Sequence, residues 1–145
     1  MFALKNRHSE HFCFPSDLRK IKDASQKVLS TLDDLKLNKS DLFDIKLCFE
    51  EALINGIKHG NKGDIQLNIE AEVIKAEKYL EIIVRDQGSG FDFSHCVDPT
   101  KEENLIKTCG RGVFLIHKLM DKVRYEKKGS CVHMIKYLSK KEKSH

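Results

Sequence analysis

Hydrophobic and polar positions follow two rhythms along this chain. Leu18, Ile21, Val28, Leu32 and Leu35 recur at helical spacing and predict a first helix that Ser16 caps and that stops near Lys36. A short strand over His11–Phe14, ended by Pro15, precedes it. Asn38 with Asp41 three residues later resembles a capping box, and a second helix then runs to about Lys58, where the Gly60–Gly63 region breaks it. From Asp64 the period becomes two, because Ile65, Leu67, Ile69, Ala71 and Val73 alternate with Gln66, Asn68, Glu70 and Glu72. Lys75–Lys78 reads as a turn and Tyr79–Arg85 as the second arm of a hairpin. The stretch Phe91–Thr108 is polar without a clear period and reads as a loop. A third helix is expected from about Gly112 to Met120, with Val113, Ile116, Leu119 and Met120 inward, followed by strands over about Lys122–Lys127 and Cys131–Leu138 that meet at Gly129. The fold class is α+β, a two-layer sandwich in which helices cover one face of a mainly antiparallel, mixed sheet.

Composition narrows the function. The 145 residues form a single domain, 1–145, with a core of about 11–138 and a solvated tail of about 139–145 that carries Lys140–Lys143. Lys and Arg number 26 against 22 Asp and Glu, a net charge of +4 that does not suit a polybasic nucleic-acid binder. Aromatic residues do not interleave with the basic ones, which also speaks against direct contact with DNA or RNA. The five cysteines, at 13, 48, 96, 109 and 131, are odd in number and include no C-x-x-C, so reduced thiols and a cytoplasmic setting are expected. Cys48 and Cys131 read as small core residues, and His8 and His11 as solvated rather than as a zinc pair. Met1–Arg7 lacks the apolar region of a signal peptide, and no apolar run approaches a membrane span.

Three segments carry candidate chemistry. The second helix is apolar on nearly every side between Leu47 and Ile57, yet Glu51 and Asn55 share one stripe four residues apart. An unpaired buried carboxylate costs several kcal/mol, and Gly56 costs a helix interior roughly 1 kcal/mol, so this composition is poor for structure alone. An acid and an amide at that spacing can set a general base and a metal ligand over one phosphate. Asp86-Gln87-Gly88-Ser89-Gly90 follows an apolar strand; glycine lets a ligand approach the backbone, and an aspartate accepts from an exocyclic amine. Gly110-Arg111-Gly112 is expected to open the third helix and to offer backbone N–H groups to phosphate. Taken singly, Glu51 also fits a solvent-facing edge with Asn55 bonding back to its own helix, Asp86–Gly90 an ordinary turn, and Gly110–Gly112 an ordinary helix entry. No Walker-type G-x-x-x-x-G-K-[ST] and no H-R-D or D-F-G occurs.

In their order, these boxes resemble the GHKL (Bergerat-fold) ATP-binding superfamily. The N box is matched by Glu51–Gly60 with His59-Gly60 at its end, the first glycine box by Asp86–Gly90, and the second by Gly110–Gly112. Within that superfamily the chain is similar to the bacterial anti-sigma factor serine/threonine kinases of the partner-switching type, through its size, Phe14–Leu18 and the run Gly110–Val123. The resemblance implies a serine/threonine kinase that binds Mg-ATP. Glu51 would be the general base and Asn55 the Mg²⁺ ligand; Asp86 would receive the adenine amine. His59, Gly88, Gly90, Gly110, Arg111 and Gly112 would complete the nucleotide site. It implies an anti-sigma factor antagonist as substrate, a sigma factor as the second partner, and a homodimer, with no membrane or nucleic-acid contact. Thr108, with Cys109 next to it, stands where kinases of this group often carry an arginine, and 91–109 holds no glycine, which bears on catalytic rate more than on nucleotide binding. Ser130 and Cys131 are the candidates for the last-strand residue of the adenine site. The alternatives are a nucleotide-dependent binding module with little transfer and a split histidine-kinase catalytic domain; the second lacks support because no phospho-acceptor histidine helix is present.

Overall fold

The computed structural model describes residues 7–88, 102–126 and 130–138, with 102–110 described by their backbone alone. Strand β1 (His8–Pro15) leads through a 3₁₀ turn (Leu18–Lys20) into helix α1 (Ile21–Ser30). A second 3₁₀ turn (Asp33–Leu35) ends at Lys36 in the left-handed region, φ 53°. Helix α2 (Lys39–Asn55) follows, then a π turn (Gly56–Gly60), the hairpin β2 (Asn68–Lys75) and β3 (Tyr79–Arg85), helix α3 (Glu102–Leu119), and strands β4 (Lys122–Glu126) and β5 (Cys131–Tyr137). The sheet runs β1-β2-β3-β5-β4, and every pairing among the described strands is antiparallel.

Alternation along the strands gives the sheet two unlike faces. Ile69, Ala71, Val73, Leu80, Ile82, Val84, Val132 and Met134 point to one side and join Val28, Leu32, Ile45, Phe49, Leu53 and Ile116 of the helical layer in one core. Phe49 is fully buried. The other face carries a smaller buried group, Ile74, Ile83 and Cys131, among charged residues. Cys131 is the small buried residue expected, in this second cluster. Cys48 joins the main core, where burial pushes its thiol up to about 12 and removes it from thiolate chemistry at neutral pH.

Two lysines tie the helices to the sheet. Lys75 Nζ donates to Thr31 O at 2.7 Å and meets Asp34 at 3.0 Å, holding the end of α1 on β2. Lys136 Nζ donates to Leu119 O at 2.9 Å at the end of α3 and lies 3.7 Å from Asp44 on α2.

The first helix departs from expectation at its start. Ser16 is fully buried and does not cap; its backbone N–H donates to Leu67 O at 3.0 Å, which draws the residue under the sheet edge. Asp17 caps instead, accepting from Arg19 N at 3.0 Å and clasping its guanidinium at 2.9 Å. That exchange tightens the first turn to 3₁₀ and leaves Leu18 48% exposed. Asn38 caps α2 as expected, accepting from Asp41 N at 2.7 Å. Strand β2 begins at Asn68, so the alternation that starts at Ile65 overstates its length, and Ile65 is exposed. His8 and His11 are three apart on a strand, which puts them on opposite faces; each meets a different glutamate.

Helix α3 is the largest correction. It begins at Glu102, not near Gly112, so Gly110-Arg111-Gly112 lies inside it and does not open it. The sequence accounts for this: Glu102 and Glu103 suit the positive end of a helix dipole, and Leu105, Cys109, Val113 and Ile116 keep one helical period. The loop expected over 91–108 thus ends by residue 101, and 91–101 lie outside the described residues.

Candidate functional site

At the C-terminal end of α2 the backbone widens from an α to a π turn, a feature that recurs at functional sites. Asn61 N–H closes it on Gly56 O at 2.7 Å, and Gly63 N–H reaches Ile57 O at 2.8 Å. The widened turn brings Gly60 against the end of β3. A methyl group on Gly60 would overlap the Asp86 carboxylate, and one on Gly88 would overlap the Gly60 carbonyl. Only glycine at both positions lets the helix end and the Asp86–Gly88 turn touch. Gly56 plays a milder part, its nearest neighbour being Ile69 Cδ1 at 3.0 Å from a built Cβ.

A small cavity, partly open to solvent, lies between this junction, the sheet and α3. Ala52, Val84, Ile116 and Val132 supply an apolar lining, with Asn55, His59 and Asp86 as polar groups. That mix of apolar walls and a few polar groups is the kind found at small-molecule sites. Asp86 is half-buried at its wall. Desolvation raises its pKa above the usual carboxylate range, while the Gly88 N–H, donating to Oδ1 at 2.9 Å, opposes the rise. The Asp86 N–H donates to Ser130 O at 2.8 Å, fixing where the side chain starts.

A polar clamp that sequence reading missed holds the junction. Asn61 is buried; its Nδ2 donates to Asn68 O at 3.1 Å and its Oδ1 accepts from Gln87 N at 2.8 Å. Gln87 returns the contact, its Oε1 accepting from Asn68 N at 2.6 Å. One amide side chain thereby locks the π turn, the start of β2 and the Asp86–Gly88 turn together. The signal available in sequence was only an asparagine directly after His59-Gly60.

Glu51 and Asn55 lie one turn apart on α2, both partly buried, and face α3 at Gly112. A methyl on Gly112 would stand 2.5 Å from Glu51 Oε1 and 3.6 Å from Asn55 Nδ2. The two boxes expected to act together therefore meet, one helix against the other. Cys48 Sγ, 3.9 Å from Leu115 O, is a further contact between the same two helices. Because the amides of Gly110, Arg111 and Gly112 bond within α3, the phosphate cradle expected from a helix start is not formed by them here. Arg111 is exposed. Gly90 lies outside the described residues. On the last strand Cys131 packs on the opposite face with Ile74 and Ile83, away from the cavity, which Val132 lines.

Chemically, the arrangement offers one anionic acceptor in an apolar slot, an amide at its rim, and a carboxylate one turn further along the same helix. The chemistry of these groups fits a purine nucleotide with its magnesium ion: Asp86 can accept from an exocyclic amine and Asn55 can supply an oxygen ligand. Residues 14–136 match the family model described as a histidine kinase-like ATPase domain. The chain is 34% identical over 106 residues to the serine-protein kinase RsbW of Listeria monocytogenes, an alignment spanning 68% of each chain. It is 33% identical over 112 residues to the protein of the same name in Staphylococcus epidermidis, spanning 70% of this chain and 69% of that one. The Staphylococcus aureus protein of that name matches to the same extent, 33% over 112 residues.

Proposed function

The chain belongs to the family of histidine kinase-like ATPase domains, and from that premise we propose that it is an ATP-dependent protein serine/threonine kinase that also acts as an anti-sigma factor. The observation that carries this reading is the Asp86 carboxylate set in an apolar slot by Gly60 and Gly88, on the same helix end as Asn55 and Glu51. Asp86 accepts from the adenine amine and so selects the base. Asn55 holds Mg²⁺, and the ion when bound neutralises triphosphate charge. Glu51, held against α3 by the absence of a side chain at Gly112, takes the proton from an incoming serine hydroxyl. His59 lies at the rim of the slot, and Arg111 and Gly90 belong to its phosphate side. Phosphoryl transfer depends mainly on positioning and charge neutralisation, so this short set is chemically sufficient.

The substrate is a serine or threonine on an anti-sigma factor antagonist, and the competing partner is a sigma factor that the protein holds inactive. Binding either excludes the other, and a homodimer in the cytoplasm is the working form. No helix among the described residues is long and apolar enough to cross a membrane. Affinity capture of the full chain from its source cell, with and without Mg-ATP, followed by mass spectrometry, tests this. Recovery of a sigma factor with Mg-ATP and of a phosphorylated small partner supports the reading; recovery of neither overturns it. Recovery of partners whose modification state never changes would favour the nucleotide-dependent binding module.

A further inference from the structure

On the sheet face turned away from the nucleotide slot, β4 and β5 bring together three side chains with metal-binding atoms. Cys131 and His133 are two apart on β5 and share a face, and Glu126 is the direct cross-strand partner of Cys131. Cys131 Sγ is 3.7 Å from His133 Nε2, His133 Nε2 is 3.3 Å from Glu126 Oε1, and all three donor atoms fall within 4.8 Å of one another. Ligands bonded at about 2.3 Å for sulfur and 2.0–2.2 Å for nitrogen and oxygen around a tetrahedral ion sit at such separations. The set spans thiolate, imidazole and carboxylate, which suits a borderline-soft ion such as Zn²⁺ and leaves a fourth position for water.

The surroundings orient this set. Glu81 Oε2 lies 2.7 Å from His133 Nδ1, so Nδ1–H donates to the carboxylate and Nε2 turns toward Cys131 and Glu126. A carboxylate behind the histidine is the usual support of a ligating imidazole. Glu81 and His133 are largely buried, their side chains 12% and 11% exposed. Two arginines stand nearby and both have partners. Arg124 Nε is 3.3 Å from Glu126 Oε2, the oxygen not facing His133, and its NH2 group lies 3.3 Å from His133 Nδ1. Arg85, across from Cys131 on β3, meets Glu72 at 3.2 Å.

We propose that Cys131, His133 and Glu126 form a zinc-binding site on the outer face of the sheet, with Glu81 as the positioning residue for His133. Binding would release the thiol proton of Cys131 to solvent. The proposal is independent of nucleotide chemistry, since the sheet separates the two sites.

The test uses the full chain, stripped with a chelator and kept reduced, titrated with Co²⁺ as a spectroscopic stand-in for Zn²⁺. A thiolate-to-cobalt charge-transfer band that Zn²⁺ bleaches at one equivalent is the expected result. Glu81→Gln should weaken cobalt affinity roughly 10- to 100-fold, and Glu126→Gln at least as much. Cys131→Ser should abolish the band. No band, or a band of full strength in folded Cys131→Ser, overturns the proposal, the latter by moving the metal to another cysteine. If Cys131→Ser fails to fold, Glu126→Gln decides, because that side chain is 44% exposed and its loss does not disturb the core; unchanged cobalt affinity in it rejects the site.

Discussion

Replacing Gly112 by alanine separates stability from catalysis. Glycine inside a helix is unfavourable by roughly 1 kcal/mol relative to alanine, so on backbone grounds the variant should melt roughly 2–4 °C higher for a chain of this size. The new Cβ would stand 2.5 Å from Glu51 Oε1, closer than the 3.0 Å below which real Cβ contacts are essentially not seen, so the carboxylate must retreat by about half an ångström. Glu51 is a flexible side chain at a partly open position, so the retreat costs the fold little. A misplacement of about 1 Å in a catalytic group can cost a hundredfold, so half of that gives roughly a tenfold loss in kcat. Thermal melts and transfer of labelled γ-phosphate from ATP to the captured antagonist measure the two effects on one preparation. The expected outcome is a raised or unchanged melting temperature with transfer down about tenfold and ATP affinity kept. Full transfer in a stable variant would refute the role given to Glu51. A large loss of stability would refute the packing of α2 on α3 at this point.

Other substitutions test the remaining parts. Glu51→Gln should bind Mg-ATP as the parent does in calorimetry and transfer no phosphate to the antagonist. Asp86 is held above the usual carboxylate range by burial, so its ionisation costs stability once pH passes the raised value and costs none below the ordinary range. Asp86→Asn should therefore be at least as stable as the parent in urea at neutral pH, lose that advantage in acid, and bind ATP more weakly; equal ATP affinity would remove its adenine role. Phe49→Ala, at a fully buried position, should cost about 3–5 kcal/mol in chemical denaturation, whereas Leu18→Ala should fall within about 0.5 kcal/mol because that side chain is 48% exposed.

Much of the sheet was legible because period-two alternation and burial coincide. Ile69, Ala71 and Val73 are all buried, and Tyr79–Arg85 forms the strand its pattern predicts. The Asn38 cap was legible for a local reason, a side-chain oxygen three residues from the amide it accepts. What was not legible depends on distant partners. Ser16 and Asp17 compete for the same cap, and Leu67, fifty-one residues away, decides between them by taking the Ser16 amide. The start of α3 was misread because glycines signal a helix boundary locally, while Gly112 is in fact needed by the carboxylate across the helix pair. Of the candidate site, Glu51, Asn55 and Asp86 were singled out by residue type and spacing, and the structure places Asn55 and Asp86 on one cavity and Glu51 one turn away from Asn55. Asn61 was not singled out, because its role comes from joining three segments that are remote in sequence. Cys131 is buried as its residue type suggested, but residue type alone did not say which face of the sheet buries it.

The proposed kinase function requires an adenine-selective slot at Asp86, and calorimetric titration of the full chain with Mg-ATP and then with Mg-GTP tests it most directly. A carboxylate that accepts from an amine meets a carbonyl oxygen at the same ring position in guanine, so saturable ATP binding and no measurable GTP binding are expected. Absence of ATP binding, or equal affinity for the two nucleotides, would contradict the account.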